Sequence, residues 1–164
     1  MGDMPYAELH CLSNFSFLRG ASHPKELVLR AVGLGYHALA ITDECSVAGI
    51  VKAWQAVKDH DVPLKLITGA EFHLADELLV ILATNLKGYS QLCQLITTGR
   101  RRAEKGQYDL RAEDFYQRLD QCLCLWQPKN TVRHGDVVAR LRHWQGYFPS
   151  RLWLLAENAL GPGA

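Results

Sequence analysis

Short apolar runs alternate with stretches of helical periodicity along the chain. Six runs are rich in apolar and β-branched residues and predict strands over residues 6–12, 37–42, 64–74, 78–84, 122–126 and 151–156. Between them, a period near 3.6 predicts helices after Pro24 and Ser46 and over residues 89–101, 112–119 and 136–144. This alternation predicts an α/β fold whose sheet is largely parallel, either open or closed into a barrel.

The predicted helices have recognisable ends and faces. His23 is a possible cap before Pro24, which suits the first helical position, and Gly35 is a stop signal. In the second helix, the apolar stripe predicted to face the core is Val47, Ile50, Val51, Trp54 and Val57. In the third helix, the inward residues are predicted to be Tyr89, Leu92, Cys93 and Ile96.

The composition fits one folded domain without a global charge. The chain has 164 residues, 48% of them hydrophobic, with 18 basic and 17 acidic side chains. This balance excludes a whole-surface field that would attract nucleic acid or an anionic membrane. The five cysteines include no C-x-x-C pair, which favours the reducing cytoplasm, and Cys122 and Cys124 are interpreted as small buried hydrophobes. No apolar run approaches the roughly 20 residues that cross a bilayer.

Imidazoles and carboxylates follow three successive predicted strands. In parallel α/β sheets, ligands gather at the carboxyl ends of the strands, so side chains there are expected to share one rim. Neutral imidazole nitrogens and carboxylate oxygens are the donors that divalent metal ions need. The residues that make up this candidate metal site are His10, Asp43, Glu44, Glu71 and His73.

Each of these residues also has a structural interpretation. Polar side chains at strand ends often cap helices or line a solvated rim, and Asp43 taken alone fits an N-terminal helix cap better than a metal ligand. Glu71 and His73 taken singly are ordinary strand-end residues. Only the convergence of all five favours a metal site.

A basic cluster near the middle of the chain is a candidate nucleic-acid contact. Arg100, Arg101, Arg102 and Lys105 lie at the end of a predicted helix, where they could touch phosphates or simply complement the helix dipole. Both interpretations stay open. Trp126, Trp144 and Trp153 are predicted to serve in core or interface packing rather than in stacking on bases.

The order of the strand-end motifs resembles a known family. The segment ELHCLSNFSFLRGASHPKELVLRAVGLGYHALAITDECSVAGIV, followed by GAEFH, is similar to the polymerase-and-histidinol-phosphatase (PHP) domain at the N-terminus of bacterial C-family DNA polymerases. Within that family it looks most like the error-prone polymerase subfamily, as do residues 82–97 and 99–110. The resemblance implies a PHP-type distorted β/α barrel of about seven strands. Six strands would leave it unclosed, so the chain is expected to be an incomplete, N-terminal portion of the domain.

The resemblance also implies which residues of a metal site have changed. Metal-binding members of the family carry H-x-H on the first strand, T-D-H on the second and a glutamate on the third. In this sequence His10 and Glu71 match, whereas Leu12 replaces the second histidine and Glu44 replaces the T-D-H histidine. The site is therefore predicted to be degenerate, with no catalytic residue and no cofactor in this segment.

The function implied by the resemblance is that of a DNA-directed DNA polymerase in damage-induced translesion synthesis. Its Mg²⁺-dependent chemistry would lie on a separate, absent palm domain. The implied partners are DNA, the polymerase core of the same chain, a sliding clamp and mutagenic accessory proteins. Self-association through residues 151–156 is a further expectation, because that predicted edge strand is apolar. The alternative is that the domain is itself a metal-dependent phosphoesterase or a 3′ exonuclease proofreader.

Overall fold

The computed structural model describes residues 5–75, 77–116, 118–128 and 134–156. The tail over residues 157–164 lies outside this range. The predicted elements are found in the expected order, although the predicted helix over 112–119 is a single 3-10 turn. Their bounds are β1 (Ala7–Glu8), α1 (Pro24–Gly33), β2 (Ala38–Ile41), α2 (Ala48–Asp59), β3 (Lys65–Leu74), β4 (Glu77–Ala83), α3 (Leu86–Arg102), the 3-10 turn (Ala112–Phe115), β5 (Cys122–Pro128), α4 (His134–Tyr147) and β6 (Leu152–Leu154).

The six strands form one curled sheet, a half-barrel, in the order β1-β2-β3-β4-β5-β6. This confirms the α/β class, but the prediction of a largely parallel sheet is wrong in the middle. β4 is antiparallel to both β3 and β5, whereas β1, β2 and β3 are mutually parallel. Only two residues separate β3 from β4, too few for the crossover that a parallel pair requires. The parallel part is the part that carries the strand ends of the candidate site.

The ends of α1 agree with the sequence signals. The His23 backbone N–H donates to the Glu26 carboxylate at 2.7 Å, which satisfies a group at the helix start. At the other end Gly35 adopts a φ of 72°, and the Tyr36 N–H donates to the Ala31 carbonyl at 2.9 Å. This is a glycine-closed helix end, and it turns the chain directly into β2.

The predicted inward stripe of α2 is only partly correct. Val51 and Trp54 are 63% and 56% exposed, and the helix instead buries Gly49, Ala53 and Ala56. Small residues let the helix axis approach the sheet closely. A Cβ on Gly49 would lie only 2.5 Å from a carboxylate oxygen of Asp43, so only glycine fits there.

The two faces of the sheet differ in what covers them. On the helical side, alternate strand residues pack with α3 and α4 around the large aromatic side chains of Phe72, Phe115, Trp126 and Trp144. On the opposite side, Val80, Leu82 and Leu125 belong to a smaller apolar cluster. An apolar groove of about 710 Å³ opens on this second side and reaches the edge strand β6.

A buried carboxylate ties α4 to the sheet. Glu77, at the start of β4, accepts hydrogen bonds from the indole N–H groups of Trp126, at 3.0 Å, and Trp144. Arg140 donates to its other oxygen at 2.9 Å. Glu77 is therefore paired with a cation and two neutral donors, as a buried charge requires. Among the helices of the described residues, none has the length and apolarity needed to cross a bilayer.

We expect Glu77→Ala to lower the free energy of unfolding by about 3 kcal/mol, because it leaves buried donors without their acceptor. Urea denaturation followed by tryptophan fluorescence measures the change. The control is Glu104→Ala, which removes an exposed carboxylate and should leave the denaturation midpoint in place. Equal midpoints for the two variants would contradict this role of Glu77.

We expect the chain to self-associate through β6 in solution. This edge strand carries Trp153 and Leu154, which are 48% and 63% exposed, and an exposed apolar edge favours pairing with another chain. Sedimentation velocity should show concentration-dependent association that Trp153→Lys weakens. Trp54→Lys is the matched control, since it alters an exposed tryptophan on a helix. A monomer at micromolar concentration would refute the expectation.

Candidate functional site

Backbone pairing brings three strand ends to one rim. Beyond β1 the chain continues beside β2, because the Cys11 N–H donates to the Thr42 side chain at 3.0 Å and the Thr42 N–H donates to the Cys11 carbonyl at 2.9 Å. Beyond β2, Glu44 and Glu71 form an isolated parallel bridge. The rim therefore holds His10, Glu44 and Glu71 as predicted from the sequence, although β1 itself is shorter than predicted.

Glu71 is the centre of the site. Its side chain is 0% exposed, and one oxygen lies 2.7 Å from His10 Nε2. The other oxygen accepts from the Arg19 guanidinium and lies 3.1 Å from His73 Nε2. Three side chains thus surround a fully buried carboxylate.

The contacts of Glu71 decide its protonation. Burial on its own raises the pKa of a carboxyl group, but hydrogen bonds from His10, His73 and Arg19 outweigh burial here and lower the pKa of Glu71 to about 2. Glu71 is therefore an ionised carboxylate in the folded protein across the physiological pH range. A buried anion of this kind needs a positive partner.

Glu44 is held from two sides. The Tyr108 hydroxyl donates to one of its oxygens at 3.0 Å, and Arg19 donates to the other at 2.9 Å. The same tyrosine hydroxyl accepts from the His73 backbone N–H at 2.9 Å. Burial, with the nearby Glu44, raises the pKa of Tyr108, so it stays a neutral donor. Tyr108 thereby links Glu44 to β3.

His73 has two alternative contacts through one nitrogen. Its Nε2 lies 3.0 Å from an Arg19 nitrogen and 3.1 Å from a Glu71 oxygen. A neutral Nε2 without hydrogen accepts from Arg19, whereas a protonated Nε2 donates to Glu71. The two bonds exclude each other, so His73 is the adaptable member of the site.

The side chain of Asp43 has other partners than the members of this cluster. Its buried carboxylate accepts from the Ser13 N–H at 2.8 Å and from the hydroxyls of Ser13 and Ser16, both at 2.7 Å. It does not cap α2, whose N-cap residue Val47 makes no side-chain cap bond. Asp43 instead anchors the loop over residues 13–22, a role that neither interpretation of the sequence anticipated.

Arg19 and Tyr108 are the site residues that the sequence analysis missed. Arg19 lies in an irregular loop between the first strand and α1, and Tyr108 lies in the segment after α3. Neither position belongs to a periodic pattern, so hydrophobic periodicity carries no signal for it.

The basic cluster divides into engaged and exposed residues. Arg100 donates to the backbone carbonyls of Glu44 and Cys45 at 3.2–3.3 Å and stacks over the Tyr108 ring. Arg102 donates twice to Asp114, at 2.6 and 3.0 Å. Arg100 and Arg102 therefore have partners within the chain, although Arg102 is itself exposed. Arg101 and Lys105 are exposed, and within the described residues these two are the members of the cluster left to contact a ligand.

Comparison with known proteins identifies the family. A model of the PHP domain matches residues 8–159. The chain belongs to the PHP domain family. This confirms the resemblance drawn from the strand-end motifs and the PHP-type fold class.

Similar relatives include bacterial polymerases. The error-prone DNA polymerases of Pseudomonas aeruginosa and Pseudomonas fluorescens are each 56% identical to this chain, over 93% and 95% of its length. That of Dechloromonas aromatica is 51% identical over 96% of the chain. The chain spans only 14–15% of the length of these curated relatives.

The similarity to solved structures is weaker. A candidate metal-dependent phosphoesterase from Bifidobacterium adolescentis is 23% identical, with a TM-score of 0.48 over 85% of this chain and 44% of that protein.

The residues present do not fit a divalent ion as the structure stands. Glu44, Glu71 and His73 have ligand atoms within 4.8 Å of one another, which is metal-site spacing. However, one nitrogen of Arg19 contacts all three residues. Leu12 supplies no donor atom, and the carboxylate of Asp43 is hydrogen-bonded to Ser13 and Ser16. A metal ion would have to displace the guanidinium.

The pKa of Glu71 predicts a pH dependence. Because the pKa is about 2 in the folded chain and 4.5 ordinarily, the stability that Glu71 contributes is present above pH 4.5 and is lost as the pH falls toward 2. We expect the free energy of unfolding of the wild-type chain to decline more steeply over this interval than that of Glu71→Gln. Glu113→Gln, at an exposed position, should follow the wild type. Parallel curves for wild type and Glu71→Gln would contradict the assignment.

Proposed function

We propose that this chain is the PHP module of an error-prone DNA polymerase that acts in damage-induced translesion synthesis. The observation that carries the proposal is the 56% identity to error-prone DNA polymerases over more than nine-tenths of the chain. The match spans about one-seventh of those relatives, and the family resemblance implies that nucleotide addition belongs to the part of them beyond the match. The Mg²⁺ that this chemistry needs would be held there by palm carboxylates.

Within such a polymerase, the module acts as a non-catalytic scaffold. The support comes from the site: the carboxylates that could hold a catalytic metal, Glu44 and Glu71, already bind Arg19, and Glu44 also binds Tyr108. A hydrolytic metal centre needs an ion with an open coordination position for water. Carboxylates that already bind an arginine are less available to hold such an ion.

The partners follow from the same proposal. The module would contact the polymerase core of its own chain, and the whole protein would act on DNA with a sliding clamp and mutagenic accessory proteins. Arg101 and Lys105 are the exposed cations that could add phosphate contacts.

The second candidate function is metal-dependent phosphoester hydrolysis, either as a phosphoesterase or as a 3′ exonuclease. The observation that favours it is the close grouping of Glu44, Glu71 and His73. The two candidate functions differ in one measurable property, which is hydrolysis by the isolated chain.

A chimera tests the scaffold role. In the polymerase of Pseudomonas aeruginosa, this chain replaces the matched segment of 154 residues, and primer extension is measured on a template with an abasic site. We expect the chimera to extend the primer and a deletion of the segment to lose extension, because the core loses its support. Full extension by the deletion variant would refute the scaffold role.

Hydrolysis assays test the second candidate. The purified chain is incubated with p-nitrophenyl phosphate and with a labelled primer terminus in the presence of Mn²⁺, Mg²⁺ or Zn²⁺. We expect the same background rate for the wild type and Glu71→Gln. A rate that disappears in Glu71→Gln would overturn the scaffold proposal and establish a hydrolase.

A further inference from the structure

We propose that Arg19 is the resident cation of this site, and that its guanidinium takes the place of a divalent ion between Glu44, Glu71 and His73. One guanidinium nitrogen donates to carboxylates from two different strand ends and reaches the imidazole of His73. These three residues are the ones whose ligand atoms have metal-site spacing. The guanidinium is thus a single positive group among these three residues, in the position that a bound metal ion would have.

The burial of Glu71 explains why a cation must be present. An ionised carboxylate without contact with water is costly unless it is paired and hydrogen-bonded. Of the groups that contact Glu71, arginine is the one that is charged at every relevant pH, whereas His10 and His73 are charged only when protonated. Arg19 therefore supplies the permanent compensation.

The fold places Arg19 in this position. The loop over residues 13–22 is anchored where Ser13 and Ser16 donate to the buried carboxylate of Asp43. Within the loop, the N–H groups of Arg19 and Gly20 both donate to the Ser16 carbonyl, at 3.0 and 2.9 Å. A Cβ on Gly20 would lie 1.9 Å from the Ser13 carbonyl oxygen, so this close approach of two parts of the loop requires glycine.

The replacement at Leu12 is consistent with this assignment. A divalent ion needs several donors that match its coordination, and a leucine contributes none. A guanidinium needs only planar acceptors within reach of its N–H groups, and two carboxylates provide them. The donor set of this chain therefore suits arginine better than a metal ion. The inference rests on the proposed function only in treating the site as non-catalytic.

The test compares Mn²⁺ binding by the 164-residue wild type, Arg19→Ala and Arg19→Lys. Isothermal titration calorimetry with MnCl₂ and thermal unfolding with and without millimolar MnCl₂ are the two measurements. We expect Arg19→Ala to melt at a lower temperature than the wild type, to bind Mn²⁺ and to regain melting temperature on binding. Removing the competing cation leaves the buried charge of Glu71 uncompensated, so we expect Mn²⁺ affinity to rise by at least about tenfold.

Arg19→Lys and Arg101→Ala are the controls. Lysine keeps a cation in the site, so this variant should not gain Mn²⁺ affinity. Arg101→Ala removes an exposed arginine outside the site and should behave as the wild type. Adding Glu71→Gln to Arg19→Ala should abolish the Mn²⁺ binding, which would place the ion among the same donors.

Three outcomes would overturn the proposal. The first is a wild-type chain that binds Mn²⁺ as tightly as Arg19→Ala. The second is an Arg19→Ala variant with the wild-type melting temperature and no Mn²⁺ binding. The third outcome applies if Arg19→Ala is unfolded without metal. In that case the proposal fails if MnCl₂ does not restore the circular dichroism spectrum of the folded chain. A chimera that fails in primer extension would overturn the proposed function and leave these measurements intact.

Discussion

The buried carboxylate of Glu71 is the constraint on which this end of the molecule depends. It has no contact with water, so the surrounding chain must supply every hydrogen bond and the opposite charge. Those partners come from the segment after β1, the loop over 13–22 and β3 itself. Because the partners of Glu71 come from three parts of the sequence, their hydrogen bonds to it hold those parts together. The buried charge thereby stabilises the arrangement of the rim.

The sequence predicted the elements and the meeting of the strand ends because both follow from local chemistry. A hydrophobic period of two or 3.6 residues indicates a strand or a helix independently of its tertiary contacts. Parallel strands bring their carboxyl ends to one edge of the sheet whatever their side chains are. His10, Glu44, Glu71 and His73 meet for that reason. The antiparallel direction of β4 also follows from the sequence, since the three residues between the predicted strands over 64–74 and 78–84 are too few for a parallel crossover.

Other features depend on tertiary distances that no local pattern records. α2 packs on the sheet through Gly49, Ala53 and Ala56. Trp54 is therefore exposed, although the apolar pattern predicted that it faces the core. Arg19 reaches Glu71 from a loop 52 residues away in sequence, and Tyr108 reaches Glu44 from 64 residues away. The role of Asp43 also depends on residues that are distant in sequence. Ser13 and Ser16 lie on the loop over residues 13–22, and only the folded chain shows that they donate to the Asp43 carboxylate.

The net charge of the site relates the replacement of metal ligands to the presence of Arg19. A divalent ion supplies two positive charges to Glu44 and Glu71, whereas Arg19 supplies one, so neutral imidazoles leave the arginine-filled site with a net charge of minus one. Glu44 accommodates this because it is part-exposed and water can solvate it, and Tyr108 adds a neutral hydrogen bond. The fully buried Glu71 accepts from the same guanidinium and has no water to replace it. A single cation is thus sufficient here because one carboxylate is buried and the other is not, an asymmetry that a site for a divalent ion would not require.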